Sequence, residues 1–271
     1  MPELPEVETT RRGIERHLRG RQVLELRVRE RRLRRPLPRR LERALPGQVI
    51  REVARRGKYL LLRTDAGSVL VHLGMSGSLR IVAPELPAQK HDHIDILCSG
   101  GVCLRFRDPR RFGLMLWVEG DPGRHELLRG IGPEPLGAEF SGAYLHAAAR
   151  GRRTAVKPFI MDAGVVAGVG NIYANEALFR AGIHPLRPAG RISAPRCHAL
   201  AAAIRAVLEE AIAQGGTTLR DYYHGTGEPG YFRIRLAVYG REAEPCVRCG
   251  HPVRCIRQGQ RASYYCARCQ R

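Results

Sequence analysis

The C-terminal tail constrains this chain more than any other stretch. It carries Cys246-x2-Cys249 and, after sixteen intervening residues, Cys266-x2-Cys269. Two Cys-x2-Cys knuckles at this separation suit one tetrahedral Zn²⁺ with four thiolates, so the tail must bring four sulfurs to one point. A pair of disulfides is the competing reading, and a reducing cytoplasm argues against it. His251 and Cys255 lie between the knuckles and compete as ligands, although the paired knuckles have the better spacing. The intervening RCIRQGQRASYY carries three arginines, which makes the finger basic and suited to touching phosphate.

The charge of the whole chain points the same way. A net +20 over 271 residues implies an anionic partner, nucleic acid before membrane. No apolar run approaches the length of a membrane span, and no secretory leader is visible, so a cytoplasmic location is expected. RVRERRLRRPLPRR (27–40) is the densest basic stretch and reads either as a phosphate surface or as a solvated face. Of 46 basic residues only Lys58, Lys90 and Lys157 are lysines. Where arginine is so strongly favoured, a retained lysine suggests a need for a compact amine that can lose its proton.

Hydrophobic periodicity divides the chain. Val7, Ile14 and Leu18 recur at helical spacing, with Pro5 suited to a first turn and Gly20 to a stop. From 22 to 118 short apolar runs alternate with turn signals. Leu24, Leu26 and Val28 alternate with charges, and YLLLRT and SVLVHL flank Asp65-Ala66-Gly67 as a hairpin. A β-sandwich or barrel is expected. GIGPEPLGAE (130–139) reads as a linker. Three helical patterns follow, over SGAYLHAAAR, GNIYANEALFRA and a segment running from Ser193/Pro195 to Gly215.

Four further motifs bear on chemistry. In AGVGNIYANEALF, Asn171 reads as an N-cap whose helix offers free amides to a phosphate. DPRRFG (108–113) sets Arg110, Arg111 and Phe112 on a turn, and HLGMSGS (72–78) sets Met75 among glycines. An apolar residue on such a turn either folds back into the core or serves as a wedge in a base stack. The start, MPELPEVETT, is the fourth. Pro5, Glu6 and Glu8 are explained by a helix start, but Pro2 and Glu3 lie outside that explanation. Removal of Met1 exposes a secondary amine at Pro2, which can attack an aldehyde-like carbon, with Glu3 adjacent as acid or base. An inert processed terminus is the alternative.

MPELPEVET, RGKYLLL, HLGMSG, KHDH, DPRRFG, VGNIYANEALFRAGIHP and the four-cysteine tail occur in this order along nearly the whole chain. In combination they closely resemble the formamidopyrimidine-DNA glycosylases, bacterial enzymes that remove oxidised purines. The resemblance implies an α+β multidomain protein, with an N-terminal helix and two-sheet β-sandwich (1–132), a linker (133–139), a helix–two-turn–helix domain (140–235) and a β-hairpin zinc finger (236–271). It implies duplex DNA with a damaged base or abasic site as partner, held between the halves, a flipped nucleotide, one structural zinc and a monomer. It further implies Pro2 as nucleophile at C1′, Glu3 as proton-transfer group at the sugar, Lys58 in β-elimination, and Arg261 in phosphate binding and δ-elimination. Met75, Arg110 and Phe112 would fill the vacated space, with Arg110 addressing the orphaned cytosine. His91, Arg152 and Asn171 would contact the DNA backbone, Lys157 would lie near the lesion pocket, and 217–231 would close over the flipped base. Ala167, Ala243 and Arg220 depart from the residues common at those positions, Val, Gly and Lys. A sister enzyme that prefers oxidised pyrimidines and a non-catalytic binder of damaged nucleic acid are the rival readings.

Overall fold

The computed structural model describes residues 2–215 and 236–271, so the 217–231 segment expected to close over a base lies outside the described residues. Two compact units are present, 2–129 and 130–214 with 236–271.

The first unit begins with helix α1 (Leu4–Leu18), which buries Val7, Ile14 and Leu18 as its spacing requires. Two four-stranded antiparallel sheets follow. One has the order β1 (Val23–Val28), β6 (Asp92–Cys98), β7 (Val102–Arg107), β5 (Ser78–Val82), and the other β2 (Glu52–Arg56), β3 (Tyr59–Arg63), β4 (Ser68–His72), β8 (Leu114–Val118). Leu60, Leu62, Val69, Val71 and Met115 of one sheet and Ile94, Ile96, Leu104 and Phe106 of the other join the α1 side chains in one core. Each such side chain contributes about 1.5–3 kcal/mol of burial. The 59–72 hairpin forms as the turn signal implies, with Arg63 opposite Ser68.

Leu24 departs from the alternation read along β1. A register shift between Val23 and Glu25 turns Val23 into the core and leaves Leu24 59% exposed. One extra residue on a bulged strand exchanges the faces of its neighbours. A short helix α2 (Arg39–Ala44), which the strand-like reading of 22–118 missed, packs beside β8.

The arginine-rich stretch is largely paired within the unit. Arg29 meets Asp95 at 2.6 Å, Arg32 meets Glu30 at 3.0 Å, and Arg31, Arg35 and Arg40 meet Glu42, Glu126 and Glu119. The exposed pairs among these add little stability. They do lower the local positive potential, so this stretch carries less of the net charge than its composition suggests.

In the second unit α3 (Gly142–Ala149), α4 (Val156–Met161), α5 (Asn171–Arg180) and α6 (Ala194–Ala213) bury Leu145, Ile160, Tyr173, Leu178, Ile204 and Leu208 together. The Ser141 hydroxyl caps α3 by accepting from the Tyr144 amide at 3.1 Å. The tail forms the hairpin β9 (Arg254–Gln258) and β10 (Arg261–Tyr265). Phe179 of α5 shares a small core with Val238, Cys246, Val253 and Cys266. The Glu176 carboxylate accepts the amides of Ala237, Val238 and Tyr239 at 2.8–3.0 Å, fastening the segment that leads into the finger to α5.

Ala243 has φ +67, a left-handed conformation in which glycine is the unstrained residue. A Cβ there costs about 1–2 kcal/mol. The Ala243 amide still reaches the Val253 carbonyl at 2.9 Å, so the finger keeps this turn despite the strain.

Candidate active site and nucleic-acid interface

Glu3 is the N-cap of α1, with extended backbone, and only 3% exposed. It forms a capping box with Glu6, whose Oε2 accepts the Glu3 amide at 2.8 Å. Glu3 therefore belongs to the helix start rather than lying outside it, and the same contact fixes the backbone that carries half-buried Pro2. A free amine at Pro2 would stand at the positive end of α1, which disfavours its protonated form. Glu8 pairs with Arg11, Arg12 and Arg55. Burial pushes its carboxyl up, but these guanidiniums outweigh burial and hold it below the usual range.

Helix α1 packs on β2 and β3. Lys58 occupies the tight turn between those strands, beside Gly57 at φ +55. His72, which the motif reading passed over, lies at the end of β4 with the Tyr59 ring 4.8 Å away. Burial first, then the charges of Arg34 and Lys58, push its imidazole down to about 4. It is neutral at pH 7. Its Nδ1 accepts the Gly74 amide at 2.9 Å, so the proton sits on Nε2.

The two apolar turns are built as one piece. A Cβ at Gly74 would lie 2.4 Å from the Phe112 carbonyl carbon, so glycine permits the 72–78 loop to rest on the 108–113 turn. Asp108, fully buried, is the organiser that the motif reading did not single out. Its carboxylate accepts the Ser76 hydroxyl at 2.7 Å and the Gly113 amide at 2.7 Å, and its carbonyl bonds the His93 ring at 2.8 Å. Met75 and Phe112 stand 43% and 44% exposed on this support, neither folded into the core. The Arg110 guanidinium lies 4.8 Å over the Phe112 ring. Arg111 has φ +56 and pairs with Glu30 at 3.2 Å. His91, at φ +75, precedes β6, and its carbonyl accepts the Asp108 amide at 3.1 Å. Thus the segments that carry His91, Met75, Arg110 and Phe112 meet at one buried aspartate.

In the second unit Gly170 is the N-cap of α5, not Asn171. Asn171 is the first helical residue, because the glycine adopts the extended backbone of a cap without needing a side-chain bond. The Asn171 Oδ1 is buried with no hydrogen-bond partner among the described residues. Arg152 lies exposed in the turn after α3. Lys157 is 1% exposed and donates from Nζ to the Ala262 carbonyl and the Ser263 hydroxyl, each at 2.6 Å. With Gln258, Asp162 and exposed Arg261 it lines a cavity of about 150 Å³.

The sulfurs of Cys246, Cys249, Cys266 and Cys269 all lie within 4.8 Å of one another, with Cys249 and Cys266 at 3.5 Å. A Zn–S bond of about 2.3 Å places tetrahedral sulfurs about 3.8 Å apart, so the cluster fits the ion. Burial and the other three sulfurs push the Cys269 thiol up to about 12. A Zn²⁺ held there would supply the positive charge that four clustered thiolates need. Cys255 pairs across the hairpin with Tyr264 and His251 sits in the turn after the first knuckle, both outside the cluster. The four cysteines hold a structural zinc.

Three sequence profiles match the chain in succession. The formamidopyrimidine-DNA glycosylase N-terminal domain matches residues 1–115, the helix–two-turn–helix domain of the same proteins 131–222, and the zinc finger found in FPG and IleRS 243–271. The formamidopyrimidine-DNA glycosylase of Methylococcus capsulatus is 60% identical over the full length of both chains. This chain belongs to the formamidopyrimidine-DNA glycosylase family. Another family member, from Stutzerimonas stutzeri, is 60% identical, again over both full lengths. Among solved structures, the MutM (Fpg) protein of Thermus thermophilus superimposes with TM-score 0.88 at 39% identity, covering 99% of this chain and 98% of that one. The Lactococcus lactis Fpg with abasic-site DNA superimposes with TM-score 0.92 at 32% identity over all of both chains. Among the described residues no helix is long and apolar enough to cross a membrane.

Proposed function

We infer that this chain is a base-excision repair enzyme that removes oxidised purines from duplex DNA and then cleaves the strand at the abasic site. Full-length kinship with the formamidopyrimidine-DNA glycosylases carries the reading. A MutM structure 33% identical to this chain holds DNA containing carbocyclic 8-oxo-G, which supports that substrate class. The N-terminal geometry is compatible with the chemistry. With Met1 removed, the Pro2 nitrogen lone pair attacks C1′ and the glycosidic bond breaks, its electrons leaving with the base. Glu3 transfers a proton at the sugar, and the resulting iminium acidifies C2′. Lys58 assists β-elimination, and Arg261 holds phosphate for δ-elimination. Arg110, Met75 and Phe112 occupy the space left by the flipped nucleotide, and Arg110 reads the orphaned cytosine. His91, Arg152 and Asn171 contact the DNA backbone, and Lys157 lies near the lesion pocket. The enzyme works as a monomer in the bacterial cytoplasm on nucleoid DNA. Incubation with 8-oxoguanine:C and thymine glycol duplexes tests the reading. Faster release of 8-oxoguanine, with a covalent adduct on borohydride reduction, is expected. Preferred release of thymine glycol would indicate the pyrimidine enzyme, and no adduct a binder.

Discrimination and affinity should separate in mutants. About six phosphate contacts give a slope near −5 for log K against log salt, whatever the base. Phe112 stands on a turn fixed through Asp108, so its ring is placed before DNA arrives. Its insertion offsets unstacking worth a few kcal/mol. Phe112→Ala is therefore expected to slow lesion excision about a hundredfold, the equivalent of about 2.7 kcal/mol. Affinity for undamaged duplex and its salt slope should stay nearly unchanged. Equal loss of undamaged binding would show that Phe112 is a general contact and not a wedge.

A further inference from the structure

The turn between β9 and β10 is held by a one-way chain of hydrogen bonds. Lys157 Nζ donates to the Ala262 carbonyl and the Ser263 hydroxyl at 2.6 Å. The Ser263 hydroxyl donates to Gln258 Oε1 at 2.5 Å, and Gln258 Nε2 donates to the Pro185 carbonyl at 3.2 Å. The direction is fixed by the groups themselves. Lys157 Nζ donates to the hydroxyl and a carboxamide oxygen only accepts, so the hydroxyl's own proton goes toward Gln258. Ser263 is fully buried and Lys157 nearly so, which makes each unmade bond costly.

These contacts bracket one residue. Gln258 is the cross-strand partner of Arg261, and Ala262 follows it. Zinc anchors the other end of the hairpin, at Cys266. At about 3.3 Å per residue, the five steps from Cys266 back to Arg261 span about 17 Å, too far for the metal to fix the tip. An isolated two-stranded hairpin is marginal in water, so the tip needs its own anchor.

We propose that Gln258 and Ser263 are positioning residues that set where the Arg261 guanidinium stands, by tying both strands beside it to α4 and the Pro185 turn. The proposal rests on the reading of Arg261 as the phosphate and δ-elimination arginine. Its test is the ratio of δ- to β-elimination product on an abasic-site duplex, with zinc content and borohydride trapping measured alongside. Since a displacement of about 1 Å can cost about a hundredfold, Gln258→Ala is expected to lower the ratio about tenfold while zinc and trapping stay at wild-type levels. Ser263→Ala should do the same, and Ser263→Thr, which keeps the hydroxyl, should restore the ratio. In an Arg261→Ala background, Gln258→Ala should add nothing, because it acts only through that arginine. An unchanged ratio in Gln258→Ala, with Arg261→Ala lowering it, overturns the positioning role alone. A further drop in the double variant also overturns it, showing an action apart from Arg261. An unchanged ratio in Arg261→Ala overturns the reading of the arginine itself.

Discussion

A chain with one residue added ahead of Pro2 is expected to give no borohydride adduct with an 8-oxoguanine:C duplex, while still binding an abasic-site duplex. The reason is electronic. Acylation turns the Pro2 amine into an amide, whose lone pair is delocalised and cannot attack C1′. Binding should survive because the proposed phosphate and wedge groups lie elsewhere in the chain. The free amine is well suited to the task. An α-amino group titrates near 7.7–8.0, so an appreciable minority is unprotonated at neutral pH. The positive end of α1 shifts that balance further toward the nucleophilic form. Pro2→Gly keeps an amine and should retain some lyase activity, at a reduced rate. Normal trapping by the blocked chain would make a lysine the nucleophile, with Lys58 the first suspect.

Much of this was legible in the sequence where the determinants are local. The 59–72 hairpin follows from two apolar runs and an Asp-Ala-Gly turn, and the zinc site follows from two knuckles. The failures come where a local rule meets a longer-range constraint. Asn171 has the chemistry of a cap, but the extended backbone at Gly170 places it one residue inside the helix. Leu24 fits the alternation of β1 until a bulge, set by pairing with the distant β6, turns it outward. Glu3 precedes the helical pattern, and only its reciprocal bond with Glu6 makes it part of the helix start. Asp108 sits in the same motif as the arginines and the phenylalanine, and nothing in the motif's sequence distinguishes its buried carboxylate as the group that holds the turn. Lys157 and Ser263 are separated by 106 positions, and only the packed structure shows their bond. The arginine-rich stretch is the instructive reverse. Its composition suggested a surface for phosphate, yet acids at Glu30, Glu42, Asp95, Glu119 and Glu126 meet it from several segments.

Loss of one zinc ligand should be the other large effect. Cys249→Ser leaves three thiolates, an incomplete site for a structural ion. Cys249 is the informative position because it is exposed, so serine there opens no cavity and any loss traces to the metal. Zinc binding in such fingers is worth about 10–16 kcal/mol at neutral pH, and that free energy is also folding free energy. The core around the site is small: Cys246 and Cys266 are themselves part of it, with Phe179, Val238 and Val253. It cannot hold the metal end of the hairpin once the sulfurs are released. Zinc per chain should therefore fall from about one to near zero. Duplex affinity should fall with it, because the strand that carries Arg261 loses its anchor at Cys266 and keeps only the hydrogen bonds at its tip. The sandwich of the first unit has its own core and should keep its cooperative unfolding. Cys255→Ser is the matched control. That thiol lies in the same hairpin but outside the cluster, so zinc and binding should persist. A Cys249→Ser protein with one zinc and normal affinity would defeat the four-cysteine assignment. Loss of zinc with unchanged duplex affinity would leave the metal site intact as an assignment but remove the finger from the DNA interface.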